Sequence, residues 1–388
     1  MAFSKTPLAW FNLTYERRRL ITAIAGVAFA VLLMFMFVGF KNALYDSQVQ
    51  LLGLLNGEVI LVSPLKSNMF VPKRFPRGRL YQALSFEGVA AVYPLYTNEA
   101  DWKNPITQEI RPLRVLAFNL NDPALNLPDV AEQLERLRPI DTALVDTRSR
   151  AEIGPLEAGV ETELSKRNIR IVGTFTLGTD FASGNGNLIV SDRNFIRYFN
   201  AESPDAEGRT LDTVDIGLIK LEPGANPEAI VTALQQNLPK DVAIFTRAEF
   251  VDQELTYWRE NTNIGFVFSL LTAMGFVVGV ILVYQILYTD VADHWAEYAT
   301  LKAMGYSNLY LLGVVMQEAV LLTVLGFVPG WLVSTLLYRT TADATGLLMQ
   351  MTRDRALTML VSTFVMCLIS GAIAVRKVQA ADPAEVFG

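Results

Sequence analysis

Four long apolar runs, unevenly spaced, constrain this chain more than any other feature. Residues 20–40, 264–287 and 356–375 carry no charged side chain, and residues 310–337 carry a single acid, Glu318. The hydrocarbon core of a bilayer takes ~20 such residues as helix. At a rise of ~1.5 Å per residue, residues 20–40 reach about 32 Å. Backbone polar groups in lipid must be bonded internally, so each run is expected to be a helix rather than a strand. The first run also resembles a signal peptide in its basic flank, Arg17-Arg18-Arg19. It exceeds the ~7–15 residues of a signal core and no small-x-small site follows, so an uncleaved anchor is expected.

The remaining composition excludes more than it selects. The chain has 388 residues, and 39 acids outnumber 33 Lys and Arg. A net charge of -6 argues against a nucleic-acid partner, which selects for basic surface. There is one cysteine, Cys367, within the last apolar run, so neither an intrachain disulfide nor a cysteine metal cluster is possible. The single histidine, His294, rules out an H-E-x-x-H zinc site. No Gly-Lys pair exists, so there is no phosphate loop of the G-x-x-x-x-G-K type, and no G-x-S-x-G elbow occurs. The expectation is a chain with no catalytic centre and no cofactor of its own.

Basic flanks orient the spans. Lys5 and Arg17–Arg19 hold the segment 1–19 in the cytoplasm, and Arg376-Lys377 hold the tail 376–388 there. Parity then places 41–263 outside, 288–309 inside and 338–355 outside. Arg339, Arg353 and Arg355 in the last of these loops run against the rule. The outer segment 41–263 is long enough for its own core. It reads as α+β, with β-rich runs at 58–62, 89–96, 113–118, 143–145, 169–175, 188–190, 214–221 and 242–245. Residues 227–238 read as a helix that opens on Pro227. The last two strands and this helix make one β-α-β unit, and residues 57–118 are expected to supply its counterpart in a split β-α-β layer. Residues of about 119–212 then form an inserted subdomain. The patch 183–187, Ser-Gly-Asn-Gly-Asn, reads as a turn. Residues 42–55 and 247–261 are expected either as helices prolonging the first two spans or as ordinary connectors.

The loop 288–309 carries the most information. Val291, Trp295, Tyr298, Leu301 and Met304 recur at spacings of three and four, which predicts a helix over 290–304. Gly305 supplies its stop, and Ser307 and Asn308 cap the next helix. Its charges are Asp290, Asp293 and Glu297 against Lys302. A lipid-lying helix favours basic residues on its polar face, so a groove on a soluble protein is the better fit. Within the spans, Glu318 with neighbouring Gln317 is the polar candidate, for a structural pairing or for a gating role. Gly265, Gly275, Gly279, Gly326 and Gly330 would allow close helix approach, and Pro329 is expected to break the third span.

With this layout, Glu297-Tyr-Ala-Thr-Leu301-Lys302-Ala303-Met304-Gly305 resembles the Glu-x-x-x-Leu-[Lys/Arg]-Ala-[Leu/Met]-Gly pattern of the MacB/FtsX family of ABC transporter permeases. The ending Asp382-Pro383-Ala384-Glu385 and the segment 7–20, with Leu8, Trp10, Phe11 and Leu13, resemble the same family. Within it the likeness is nearest to the DevC type, found in cyanobacterial tripartite exporters. The resemblance implies a membrane α-helical fold of four transmembrane helices with a large α+β periplasmic domain, a MacB-like core. It implies a homodimer in the bacterial inner membrane, with both termini cytoplasmic. A separate ABC ATPase, which binds the ATP, would grip Asp290, His294, Glu297, Leu301, Lys302, Met304 and Gly305, with Asp382, Pro383 and Glu385 in the tail on the same side. Further partners implied are a periplasmic membrane-fusion adaptor, an outer-membrane channel and membrane lipid, with an amphiphile such as a glycolipid as cargo. The rival members of the family are an FtsX-like subunit that activates a cell-wall hydrolase and a lipoprotein-release permease.

Overall fold

The computed structural model describes residues 8–15, 17–69, 71–180, 184–200 and 208–379. Two units organise them: one from the described residues of 1–42, 264–341 and 349–388, the other from those of 43–263 and 342–348. The chain runs α1 (Leu8–Tyr15), α2 (Arg17–Leu54), β1 (Val59–Val62), β2 (Phe75–Pro76), α3 (Gly78–Ala83), β3 (Val89–Lys103) and β4 (Ile110–Phe118). There follow α4 (Pro128–Ala131), β5 (Thr142–Asp146), β6 (Glu161–Leu164), β7 (Arg167–Phe175), β8 (Asn187–Ser191), α5 (Asp192–Phe199), β9 (Thr213–Val214) and β10 (Ile216–Leu221). The last elements are α6 (Pro227–Asn237), β11 (Ala243–Thr246), α7 (Arg247–Asn261), α8 (Ile264–Asp293), α9 (Trp295–Ala303), α10 (Asn308–Thr345) and α11 (Arg353–Gln379).

In the helical unit, four helices among the described residues are long and apolar enough to cross a membrane, within α2, α8, α10 and α11. Each outruns its apolar stretch, because flanking polar residues continue a helix until a breaker intervenes. Pro329 does not break α10, contrary to expectation. Proline removes one backbone bond, and neighbouring helices and side chains in a bundle can compensate for it. Close approach is specified by glycine: a Cβ at Gly330 would lie 2.9 Å from the Ala28 carbonyl oxygen of α2. Small residues here let two backbones touch where apolar attraction alone gives no preference over lipid. Tyr338 of α10, fully buried, donates to the Phe35 carbonyl of α2, and Ser370 of α11 donates to the Val280 carbonyl of α8 at 2.9 Å.

In the α/β unit, nine strands among the described residues form one sheet, in the order β11-β1-β10-β3-β4-β8-β5-β7-β6. β1 lies antiparallel between β10 and β11, and β10 lies antiparallel between β1 and β3. The units β1-α3-β3 and β10-α6-β11 are therefore both split, each with a strand of the other inserted, which is the ferredoxin-like arrangement. The stretch expected as an inserted subdomain joins this same sheet through β3. That strand has 15 residues: its first half pairs with β10 and its second with β4. β6 pairs with β7 and, at Trp102↔Leu164, returns to β3, so the insert curls into a small closed barrel. Trp102, fully buried, fills its interior and donates Nε1 to the Ile153 carbonyl at 2.9 Å. Ser183 of the expected turn and residues 201–207 lie outside the described residues. Residues 42–55 do continue α2 as one helix to Leu54. Residues 247–261 form a separate α7, opened by a Thr246–Glu249 capping box and ended by Thr262 in an extended conformation.

Charge is also buried in this unit. Arg209 and Asp215, both fully buried, form an ion pair, and Asp215 accepts from the Thr97 backbone at 3.0 Å. Lys66 donates Nζ to the Val71 carbonyl at 2.7 Å, while Glu254 accepts from Met69 N–H and Trp258 Nε1, both at 2.8 Å. Burial pushes Lys66 down to about 8, against the opposing pull of Asp215 and Glu254, and burial raises Glu254. A lysine lowered on folding leaves the unfolded chain binding more protons between about pH 8 and 10, so this residue makes stability rise with pH across that window. Lys66→Met is expected to remove that rise. Urea unfolding of the detergent-solubilised full chain, followed by tryptophan fluorescence at several pH values, checks it; an unaltered slope would contradict the assignment.

Candidate functional site

The segment after α8 differs from the helix expected over 290–304. Nothing between Tyr288 and Asp293 breaks a helix, so α8 continues to Asp293 and carries Asp290 with it. The break falls at His294, with φ -93 and ψ 18, and α9 begins at Trp295. His294 N–H donates to the Asp290 carbonyl at 3.1 Å, and its ring Nδ1 lies 3.0 Å from the same oxygen. Both the backbone and the ring of His294 thus converge on the Asp290 carbonyl at the junction between the two helices. Asp290 and His294 accordingly belong to the end of the span and its junction, not to the short helix.

α9 is held by one face. Tyr298 packs with Val291, Leu311, Val315 and Val375, with Leu301 half-buried against the cluster. Ala299 is buried beside Tyr298, while Glu297 is exposed and Lys302 half-exposed. The C-terminus is fixed by a Schellman turn: Gly305 N–H donates to the Lys302 carbonyl at 3.0 Å and Tyr306 N–H to the Leu301 carbonyl at 3.1 Å. Gly305 takes φ +94, which glycine adopts without the strain a side chain would bring. Beyond the turn an apolar tip faces outward: Met304 is 64% exposed, Tyr306 44% and Leu309 77%. The rings of Tyr306 and Tyr310 meet at 4.8 Å. Sequence periodicity placed Leu301 and Met304 together; the structure separates them, with Leu301 facing the core and Met304 outside. Tyr306 and Leu309 were not singled out from the sequence, although apolar residues beside a Gly stop were the available signal.

Behind α9 lies a cluster of charge. Arg19 of α2 reaches Asp293 at 2.6 Å and Asp290 at 3.6 Å. Asp290 hydrogen-bonds to the side chain of Glu318, which is fully buried on α10. His294 Nδ1 stands 3.9 Å from an Asp290 carboxylate oxygen. Gln317, the neighbour grouped with Glu318 in the sequence, is exposed and takes no part. Arg19 and Asp293 are the partners that sequence reasoning missed. The clue was an acid inside one span and an arginine at the foot of another, each needing a counter-charge. Asp382, Pro383 and Glu385 lie outside the described residues. Among the described residues no group of three or more metal-ligating side chains occurs.

Four helices able to span a bilayer, an α/β domain between the first and second, and a short solvent-facing helix between the second and third define the class as a polytopic membrane protein. Residues 269–383, from within α8 to beyond α11, match the family model described as FtsX-like permease C-terminal. No curated protein matches the chain. Among solved structures, it is similar to the periplasmic region of MacB from Actinobacillus actinomycetemcomitans at 10% identity and TM-score 0.35, covering 54% of this chain and 95% of that one. It is similar to the extracellular domain of the noncanonic ABC-type transporter YknZ from Gram-positive bacteria at 9% identity and TM-score 0.33, covering 48% and 99%. A domain of a putative permease protein from Porphyromonas gingivalis gives 16% identity and TM-score 0.31, covering 50% and 92%.

Removing Asp290 takes from Arg19 and Glu318 a buried partner at once. Asp290→Ala is expected to cost ~3–5 kcal/mol, as breaking a buried charge pair does. Glu318→Gln, which keeps a hydrogen-bonding group of the same size, is expected to stay within about 1 kcal/mol of the parent. Thermal unfolding of the full chain in detergent separates the two; equal midpoints would show that the carboxyl contact contributes nothing.

Proposed function

We propose that this chain is the permease subunit of an ABC exporter, driven by a separate ATPase that grips α9 and the turn after it. The FtsX-like match over 269–383 supports the class. The observation that carries the coupling role is the exposed tip of Met304, Tyr306 and Leu309, projecting from a helix whose other face is locked into the bundle. An apolar tip rimmed by Glu297 and Lys302 suits a hydrophobic groove with a polar edge on a soluble partner. The gripping set is thereby narrowed to Glu297, Lys302, Met304, Gly305, Tyr306 and Leu309. Leu301 anchors α9, and Asp290 and His294 transmit from behind it.

A load on α9 bears directly on α8, α10 and α11 through Tyr298. The Arg19 contacts with Asp290 and Asp293 extend it to α2. α2 runs from Arg17 to Leu54. In this proposal two copies pair, both termini face the cytoplasm, and the α/β domain expels an amphiphile toward an adaptor and an outer-membrane duct, as in DevC-type exporters.

Met304→Asp with Leu309→Asp places charge in the tip without touching the cluster around Tyr298. Co-purification of the ATPase and its stimulated hydrolysis are expected to fall about tenfold or more, the scale of losing one interface hot spot. Wild-type binding and stimulation in this double variant would reject the coupling role.

A further inference from the structure

The nine-stranded sheet has an open edge along one of its inner strands. β3 runs from Val89 to Lys103, and β10 pairs with it from Val89 to Leu95. β4 takes the other side of β3 only from Leu95 to Lys103. After Phe118 the chain turns, with Asp122 N–H bonded to the Asn119 carbonyl at 2.9 Å, and leaves for a bridge at Leu55↔Leu125. Among the described strands none fills the lane that β4 vacates beside Ala90–Pro94.

The alternation of an antiparallel ladder decides which backbone groups face that lane. Ile219 of β10 lies opposite Val92, and its carbonyl accepts from Glu58 N–H at 3.0 Å, on the side of β1. Ile219 therefore turns away from β3, and Val92 turns its own N–H and C=O away from β10, into the lane. Thr97 gives the same phase. Its N–H reaches Asp215 beside β10 at 3.0 Å, so Leu95 and Tyr93 point to β10, while Pro94 and Val92 point out. Proline suits such an outward position, where its missing N–H breaks no ladder bond. The terminal strand β11 is treated differently. There the Ile244 carbonyl is met by Gln235 Nε2 at 2.9 Å and the Thr246 N–H by Glu249 at 2.8 Å, so side chains close that edge.

The open lane lies in a groove of ≈ 340 Å³. Tyr81 and Leu84 of α3, both exposed, give it an apolar wall, and Asn119 and Asp122 also line it. Arg77, 5.5 Å from the centre of the Tyr81 ring, brings one charge against that of Asp122. A donor and acceptors set along a strand are matched best by another backbone. We propose that an extended segment of a partner polypeptide adds to this edge as a strand, antiparallel to β3 and in continuation of β4. Its backbone exchanges hydrogen bonds with Val92, and every second side chain, aliphatic, lies on Tyr81 and Leu84. The balanced charges of Arg77 and Asp122 favour a segment of low net charge. A second copy of this chain is the poorer fit, because its own β3 edge is recessed in the same groove and two recessed edges do not meet. The inference concerns the α/β unit and is independent of α9, so either proposal can fail without the other.

Linear peptides displayed on phage are selected on the full chain in nanodiscs. A class alternating aliphatic and polar residues is expected. Val92→Pro removes the outward N–H without removing a bond to β10, and Leu84→Asp places charge in the wall. Each is expected to weaken this class about tenfold, as the loss of one strong contact implies. Methylating the backbone nitrogens of such a peptide singly is expected to cost about tenfold at alternate positions, since only every second N–H faces β3. Ile140→Asp, at an exposed site elsewhere in the unit, is expected to bind like the parent. Failure to select any peptide sensitive to both Val92→Pro and Leu84→Asp, equal loss in Ile140→Asp, or methylation losses without alternation would overturn the proposal. So would a lower oligomeric mass for Val92→Pro with peptide binding unchanged, which would give the edge to a second copy.

Discussion

A charge placed among apolar helices has few choices, and that constraint organises the helical unit. Glu318 has no exposure to water, and its side chain meets Asp290 on α8, which in turn faces Arg19 on α2. Three spans are thus tied at one level by Arg19, Asp290 and Glu318. Apolar packing between membrane helices is permissive, because lipid tails satisfy a leucine as well as another leucine does. A buried carboxyl pair with an arginine is not permissive, since sliding any one helix by a turn would strand a charge. The cluster therefore sets register where packing would leave it loose, and it does so immediately behind α9.

The same economy explains how α9 is both fixed and available. A helix of nine residues is too short to hold itself in water. It is held by Tyr298 and Ala299 on one face and by the turn at Gly305, which returns two backbone donors to the helix end. With both constraints on its inner side and its C-terminus, the outer side is free to present Met304, Tyr306 and Leu309. The Met-Gly pair at 304–305 thus makes two contributions: the methionine supplies contact surface and the glycine supplies the backbone angle that exposes it.

How much of this was legible depended on the range of the signal. The spans follow from composition over ~20 residues and are read directly. Helix ends were misplaced where no breaker is written: α8 runs through Tyr288–Asp293 because the sequence there contains neither glycine nor proline. The split β-α-β layer was legible from Pro227 and the strands around it, since neighbours in sequence stay neighbours in space. The second half of β3 was not, because Thr97–Lys103 is largely polar. Its alternation is nonetheless present, with Ala100 and Trp102 inward and Glu99 and Asp101 outward. A strand that lines a small barrel shows only two apolar residues over that distance, too few to outweigh the charges. Arg19 with Asp290, and Arg209 with Asp215, join residues through space, and nothing local in either sequence neighbourhood announces the partner.

Those long-range pairs share a logic across both units. In the α/β unit, Arg209 with Asp215 and Arg114 with Asp180 are buried ion pairs, just as Arg19 joins α2 to α8 in the helical unit. Such pairs are weak contributors to net stability, because desolvation offsets most of the attraction. Their value lies in discrimination: every alternative arrangement leaves a charge buried without its partner. Asp215 shows how this works at a strand, since it pairs with Arg209 and also accepts from the Thr97 backbone of β3. β3 is the strand that the ferredoxin-like layer and the barrel hold in common, so an error in its register would propagate to both. Setting the Asp215 carboxylate, from the start of β10, against Thr97 near the midpoint of β3 penalises the slip at the position where pairing with β10 gives way to pairing with β4.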